Sequence, residues 1–192
     1  MMDDKLLIGI FVTIAGYLSG SIPFAYIITR ALGVDVFTIG TGNPGAANIF
    51  RMVGRKWGAL VFLTDFSKGA FPVLMATVME LEMLWVVASG IAAVIGHWFP
   101  VFLKFKGGAG LATGAGAILI MSPVLGLATI VAGIPLIKIF KDTGVGAGVA
   151  GAGYILINAT ILETDIAIGS SIIGSLVLLR WIVVTFIVPS KT

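Results

Sequence analysis

Seven apolar runs, separated by short polar segments, constrain this chain more than any other feature. They cover about residues 6–28, 57–79, 83–103, 111–121, 124–137, 145–162 and 166–188. A helix needs about 20 apolar residues to cross the hydrocarbon core of a bilayer. In that solvent each backbone N–H and C=O must be paired within the chain, which continuous apolar runs achieve as helices. Charged residues are 11% of the chain, against about 25% in soluble domains. The runs therefore predict an all-α polytopic membrane protein with seven transmembrane helices in one domain, residues 1–192. The first run lacks a small-residue cleavage site and reads as a retained span. Within it, Pro23 predicts a kink that frees a backbone carbonyl for a neighbour to satisfy.

Runs four and five are short, and Ser122-Pro123 divides them. Charge decides between two spans and one kinked helix. With seven spans, Arg30, Arg51, Arg55, Lys56, Lys104, Lys106, Lys138, Lys141 and Lys191 share one side. Asp3, Asp4, Lys5, Glu80, Glu82, Glu163 and Asp165 share the other. A single span there would move Lys138 and Lys141 to the acidic side. The positive-inside rule then places the N-terminus outside and the C-terminus in the cytoplasm. The net charge of +3 reads as membrane orientation, so no nucleic acid is expected as a partner. The absence of cysteine excludes disulfides, and one histidine makes a metal site unexpected.

Two glycine-rich segments stand out, both on the basic side. The first is Gly40-Thr41-Gly42-Asn43-Pro44-Gly45-Ala46-Ala47-Asn48, followed by Arg51, Arg55 and Lys56. Its glycines allow sharp turns that leave N–H groups uncovered, a concave site for an anion. Asn43, Asn48 and Thr41 add side-chain donors, Arg51 can bind a phosphate through two parallel bonds, and Lys56 adds a point charge. A helix starting near Pro44–Ala47 would aim its N-terminus at that anion. The same residues also suit a plain turn between two spans. The second segment is Lys104-Phe105-Lys106-Gly107-Gly108-Ala109-Gly110, which again runs into a helix. It reads as a second phosphate site or as a positive-inside anchor with a tight turn.

Three further polar groups lie within the apolar runs. Asp65 and Lys68 are three residues apart and share a helix face, as an ion pair that fixes the span or as a pair in which Lys68 faces phosphate. His97, beside Trp98, is a hydrogen-bonded structural residue or a group in the chemistry. Arg180 snorkels or reaches a partner inside the bundle. The many glycines between residues 110 and 153 predict close helix packing. No internal repeat supports an inverted-repeat transporter.

Taken in order, these segments resemble the PlsY-type acyl-phosphate:glycerol-3-phosphate acyltransferases of bacterial membranes. The likeness runs from Gly20 to about Pro123. It includes Gly20-Ser21-Ile22-Pro23-Phe24, the loop from Gly40 to Arg51, Gly54-Arg55-Lys56 and Asp65-x-x-Lys68-Gly69. It continues with Gly96-His97-x-x-Pro100-Val101-Phe102 and Phe105-Lys106-Gly107-Gly108-x-Gly110-x-Ala112-Thr113. The chain differs from the usual family pattern at Phe37, Thr41, Ala47, Ala109, Gly144 and Ala147. It also lacks the family's basic C-terminal segment after Arg180.

The resemblance implies transfer of a fatty acyl group from acyl phosphate to the 1-hydroxyl of glycerol 3-phosphate, giving lysophosphatidic acid for phospholipid biosynthesis. It implies a multi-pass protein of the bacterial inner membrane, with cytoplasmic active-site loops, membrane lipids around it, and no cofactor, metal or protein partner. Asn43, Asn48, Arg51, His97 and Lys104 are expected to be catalytic. Ser21, Gly40, Thr41, Gly42, Gly45, Lys68, Lys106, Gly107, Gly108 and Gly110 are expected to bind substrate and its phosphates. An acyl phosphate brings its own leaving group, so positioning and charge stabilisation suffice, without a covalent enzyme intermediate. The alternatives are a weakly active or inactive lipid- and phosphate-binding paralogue, and a transporter of phosphorylated metabolites.

Overall fold

A computed structural model describes residues 2–161 and 165–187. Glu163 and Lys191, two of the charges used for orientation, lie outside these residues, as do the expected ends of the last two runs at Leu162 and Val188. All regular structure among the described residues is helical. In chain order the helices are α1 (Met2–Ser21), α2 (Phe24–Ala31), α3 (Ala46–Met52), α4 (Arg55–Val78), α5 (Met83–Trp98), α6 (Leu111–Met121), α7 (Pro123–Phe140), α8 (Thr143–Ile161) and α9 (Asp165–Ile182). A 3-10 turn, Val101–Leu103, follows α5, and a π turn, Val183–Ile187, follows α9.

Five segments among the described residues are long and apolar enough to cross a membrane. They are Asp4–Ala31, α4, Met83–Leu103, α7 and α9. The 24 residues of α4 extend for about 36 Å at the helical rise. α6 is a shorter apolar helix of 11 residues, and α8 has 19. Leu7, Phe11, Phe71, Val124, Val131, Leu156 and Leu179 are exposed on the outer faces, as residues that face lipid tails can be.

Two expectations about the runs are corrected. The first run is two helices, because Pro23 lacks an N–H and its ring blocks helical continuation. Residues Ile22 and Pro23 separate α1 from α2. The fifth run is not short: α7 is 18 residues long. Pro123 is tolerated at its first position, and the helix continues past Lys138 until Lys141 adopts a left-handed conformation, φ 53°.

Small residues set the helix crossings around the site. A Cβ on Gly20 would lie 2.0 Å from Ala93 O, and one on Gly96 would lie 2.2 Å from Tyr17 O, so α1 and α5 touch backbone to backbone. On α4 and α6, a Cβ on Gly69 would lie 1.9 Å from Thr113 O, and one on Gly116 would lie 2.1 Å from Phe66 O. Without a hydrophobic drive between helices in lipid, such close approach maximises dispersion contact. Gly146 packs against the Ile137 backbone and Gly148 against the Trp181 ring, whereas Gly151 and Gly153 face open space. A buried cluster of Val12, Val73, Val86, Val94, Ala117, Ile173 and Val177 joins α1, α4, α5, α6 and α9.

Candidate active site

Both polar loops fold onto one end of this bundle. In the first, Gly40 and Gly42 adopt φ values of 52° and 66°, which only glycine adopts without strain. The chain wraps around the buried side chain of Asn48. Its Oδ1 accepts the Thr41 N–H at 3.1 Å, and its Nδ2 donates to Ile39 O at 3.1 Å. The Gly42 N–H donates to Ile39 O, the Gly45 N–H to Asn43 O, and the Asn43 N–H to Thr41 Oγ1. The expected cradle of free N–H groups is therefore not present at Thr41, Gly42, Asn43 and Gly45. The loop spends those donors on fastening itself. α3 then starts at Ala46 with Gly45 in extended conformation, where the sequence predicts a helix.

The second loop is pinned to the C-terminal end of α5. The Gly108 N–H donates to His97 O at 3.2 Å, and Trp98 Nε1 donates to Ala109 O at 3.0 Å. A Cβ on Gly107 would lie 2.0 Å from His97 O and 2.4 Å from Trp98 O, so only glycine allows this approach. Gly110 turns into α6 at φ 87°. Lys104 and Phe105 adopt left-handed conformations, φ 50° and 62°, and Lys104 and Lys106 are exposed.

The two loops meet over Gly108. A Cβ there would lie 2.6 Å from His97 Nε2, 3.2 Å from Pro44 O and 3.3 Å from Asn43 Oδ1. Beside them opens a narrow cleft, lined by Ile22, Pro44, Lys68, His97, Lys106 and Gly108 among others. Lys68 is buried and makes an ion pair with Asp65 Oδ1 at 2.9 Å. Its Nζ also donates to Ile22 O at 2.9 Å, next to the Pro23 break. Each member of the pair leaves the other uncompensated if removed. His97 is buried as well. Its Nδ1 lies 3.2 Å from Thr113 Oγ1, and its Nε2 has no hydrogen-bond partner.

A family model described as glycerol-3-phosphate acyltransferase matches residues 10–188. The chain belongs to the glycerol-3-phosphate acyltransferase family. Among curated members, the glycerol-3-phosphate acyltransferase of Geotalea daltonii is 45% identical over 121 residues, 63% of this chain and 62% of the relative's length. That of Geobacter sulfurreducens is 34% identical over 170 residues, 88% of each chain. A crystal structure of PlsY (YgiH), an integral membrane glycerol 3-phosphate acyltransferase in its glycerol 3-phosphate form, superposes with a TM-score of 0.82. It is 33% identical and the match covers 90% of this chain and 87% of that one. The lysophosphatidic acid form of PlsY matches with a TM-score of 0.79.

In this member of the acyltransferase family, the cleft gathers only part of the residue set that the sequence points to. Lys68, His97, Lys106, Gly107 and Gly108 line it, and Asn43 approaches at Gly108. Arg51, Lys104, Asn48, Thr41, Gly40, Gly42, Gly45 and Gly110 do not line it. Ser21 is fully buried between the cleft-lining Gly20 and Ile22, and its hydroxyl donates to Tyr17 O at 2.8 Å. Arg51 pairs with Asp142, at the start of α8. Arg180 places its guanidinium 5.3 Å from the Phe99 ring centroid, a cation–π contact just beyond His97.

Two residues at or near the site escaped the sequence reading. Asp142 carries a usable signal, an acidic residue directly before a helix, and it caps α8 by accepting the Val145 N–H at 2.9 Å. Partial burial pushes its carboxyl up, but the Val145 N–H, the Arg51 charge and the Gly144 N–H together outweigh it and hold the group below its ordinary value. Thr113 falls inside a quoted motif, yet nothing in its sequence context links it to His97, 16 positions away.

Proposed function

We propose that this chain transfers a fatty acyl group from acyl phosphate to the 1-hydroxyl of glycerol 3-phosphate, giving lysophosphatidic acid and inorganic phosphate. The observation that carries this reading is the convergence of both glycine loops, Lys68, Lys106 and His97 on one cleft. The matching PlsY structures are a glycerol 3-phosphate form and a lysophosphatidic acid form, a substrate and a product of this reaction.

The glycerol 3-phosphate hydroxyl oxygen attacks the acyl carbon, the carbon–oxygen bond to phosphate breaks, and the leaving phosphate takes the hydroxyl proton. Lys68 and Lys106 compensate phosphate charge, and His97 and Asn43 bind oxygen atoms at the reacting centre. Asn48, Gly40 and Gly42 hold the first loop in shape, and Arg51 takes a phosphate once it is released from Asp142. Positioning and charge stabilisation supply the acceleration. The apolar surface of the bundle takes the acyl chain of the acyl phosphate.

The same reading places the protein in a bacterial inner membrane with seven crossings, the N-terminus outside and the cleft on the cytoplasmic side. The Arg51–Asp142 contact supports it, because it puts the α7–α8 turn, with Lys138 and Lys141, at the same end as the first loop. A second reading, a weakly active paralogue, is favoured by Asp142 engaging Arg51 and by a buried Ala109 in the second loop.

Purified protein in lipid is given acyl phosphate with and without glycerol 3-phosphate, and released phosphate is followed. Release that requires glycerol 3-phosphate and matches lysophosphatidic acid formed supports acyl transfer. Release independent of the acceptor, or none, overturns it.

A further inference from the structure

The hydroxyl of Thr113 is placed unlike those of other threonines in this bundle. Thr13, Thr29, Thr64, Thr77 and Thr129 each donate to the carbonyl four residues back in their own helix. Thr113 sits in the first turn of α6, so the carbonyl four residues back belongs to Ala109, outside the helix. That carbonyl already accepts Trp98 Nε1 at 3.0 Å. Thr113 is fully buried. Among the described residues, the acceptor within its reach is His97 Nδ1, at 3.2 Å.

A neutral imidazole carries one proton, and the partner of one nitrogen decides where it sits. A Thr113 hydroxyl that donates to Nδ1 leaves the proton on Nε2. Among the described residues, the carboxylate near the ring is Asp65, whose Oδ1 is 3.8 Å from Nδ1, too far for a hydrogen bond. That oxygen is engaged by Lys68 at 2.9 Å. The arrangement is thus not a carboxylate–histidine pair with a basic Nε2. Nε2 itself is buried without a hydrogen-bond partner, and Gly108, lacking a Cβ, leaves space next to it beside Asn43 and Pro44.

We propose that Thr113 is a positioning residue that holds His97 in the tautomer protonated on Nε2, so that the ring offers the cleft an N–H donor and not a base. The donor's target, an oxygen of the phosphoryl or acyl group, rests on the acyltransferase reading; the tautomer does not. Gly69 makes the device possible, because its bare backbone lets α6 approach until Thr113 reaches the ring.

The chain contains one histidine, so histidine labelled with 15N reports on His97 alone. Spectra of the labelled protein in lipid nanodiscs near neutral pH are expected to show a protonated Nε2 and a bare, hydrogen-bond-accepting Nδ1. A proton on Nδ1, or on both nitrogens, overturns the proposal, and this holds for the unmutated protein even if variants fail to fold. Thr113→Ser should keep the wild-type pattern. Thr113→Val should redistribute the proton between the nitrogens. An unchanged Thr113→Val spectrum would remove the role of Thr113. In the acyl-transfer assay, Thr113→Val should lower kcat by about tenfold with little change in KM, short of the roughly 100- to 1,000-fold expected for losing a donor outright. If wild-type protein shows no acyl transfer, the acyltransferase reading fails while the tautomer result still stands or falls by the spectra.

Discussion

Arg51 on α3 is ion-paired with Asp142 at the start of α8, across 91 positions of sequence. The pair is partly exposed, with about a third of the Asp142 side chain open to solvent. Exposed pairs of this kind contribute about 0–1 kcal/mol. It therefore ties the α7–α8 turn to the first loop only lightly, and a substrate phosphate can compete with Asp142 for the guanidinium. Asp142→Asn is expected to lower the KM for a phosphorylated substrate by up to about fivefold, the upper end of that range. Steady-state kinetics with each substrate varied in turn would show it. A raised KM would mean that Asp142 presents Arg51 and does not compete for it.

The same pair sets a pH dependence. The Asp142 carboxyl is held below its ordinary value of 3.8 in the folded chain. A depressed carboxyl stabilises the folded state above the unfolded value and loses that contribution as pH falls through the folded one. Between about pH 5 and 8 the pair should therefore contribute a constant amount. Melting of wild-type and Asp142→Asn proteins across that window should differ by a constant shift, converging only in acid below the ordinary carboxylate value.

Glycine positions in the first loop should differ sharply in tolerance. Gly45 is extended, and an added Cβ would meet only Asn43 Nδ2 at 3.4 Å. Gly40 has φ 52°, and a Cβ there would lie 2.3 Å from Asn48 Oδ1. Gly45→Ala should retain most activity. Gly40→Ala should lose at least about tenfold, since a left-handed conformation alone costs a side chain roughly 1–2 kcal/mol. Equal losses in acyl-transfer assays would show that the Asn48 fastening is not what shapes the loop.

Asp65→Asn should destabilise the protein by about 3–5 kcal/mol, because it leaves the buried Lys68 ammonium unpaired. The double variant Asp65→Asn, Lys68→Met should be more stable than Asp65→Asn alone, yet inactive. Thermal unfolding in detergent of the two single variants and the double variant measures the coupling. Additive losses would mean the pair is not coupled.

Acyl phosphate alone should leave the protein unacylated. Ser21, between the cleft-lining Gly20 and Ile22, has its hydroxyl donating to Tyr17 O and makes no hydrogen bond to His97. Intact mass after incubation with acyl phosphate checks this, and ping-pong kinetics would be the sign of a covalent route. A mass increase of one acyl group overturns direct transfer.

Apolar run length and charge placement were enough to specify an all-helical membrane protein, because a bilayer leaves a chain few ways to pair its backbone. The motifs likewise pointed to two glycine loops and to Asp65, Lys68 and His97, since buried charges and tight turns demand particular residue types. What those residues touch was decided only in three dimensions. Sequence spacing predicted the Asp65–Lys68 pair because three residues along one helix is a local distance. The partner of His97 sits on another helix, 16 positions away, and that of Arg51 directly before α8, 91 positions away. The meeting of His97 and Thr113 depends on how closely backbones approach at Gly69, where α6 lies against α4. The first loop shows the same limit: its glycines announced a special backbone, but the packing of Asn48 decided that its N–H groups close on the loop itself. Composition sets which groups are available for pairing, and helix crossing sets which pairs form.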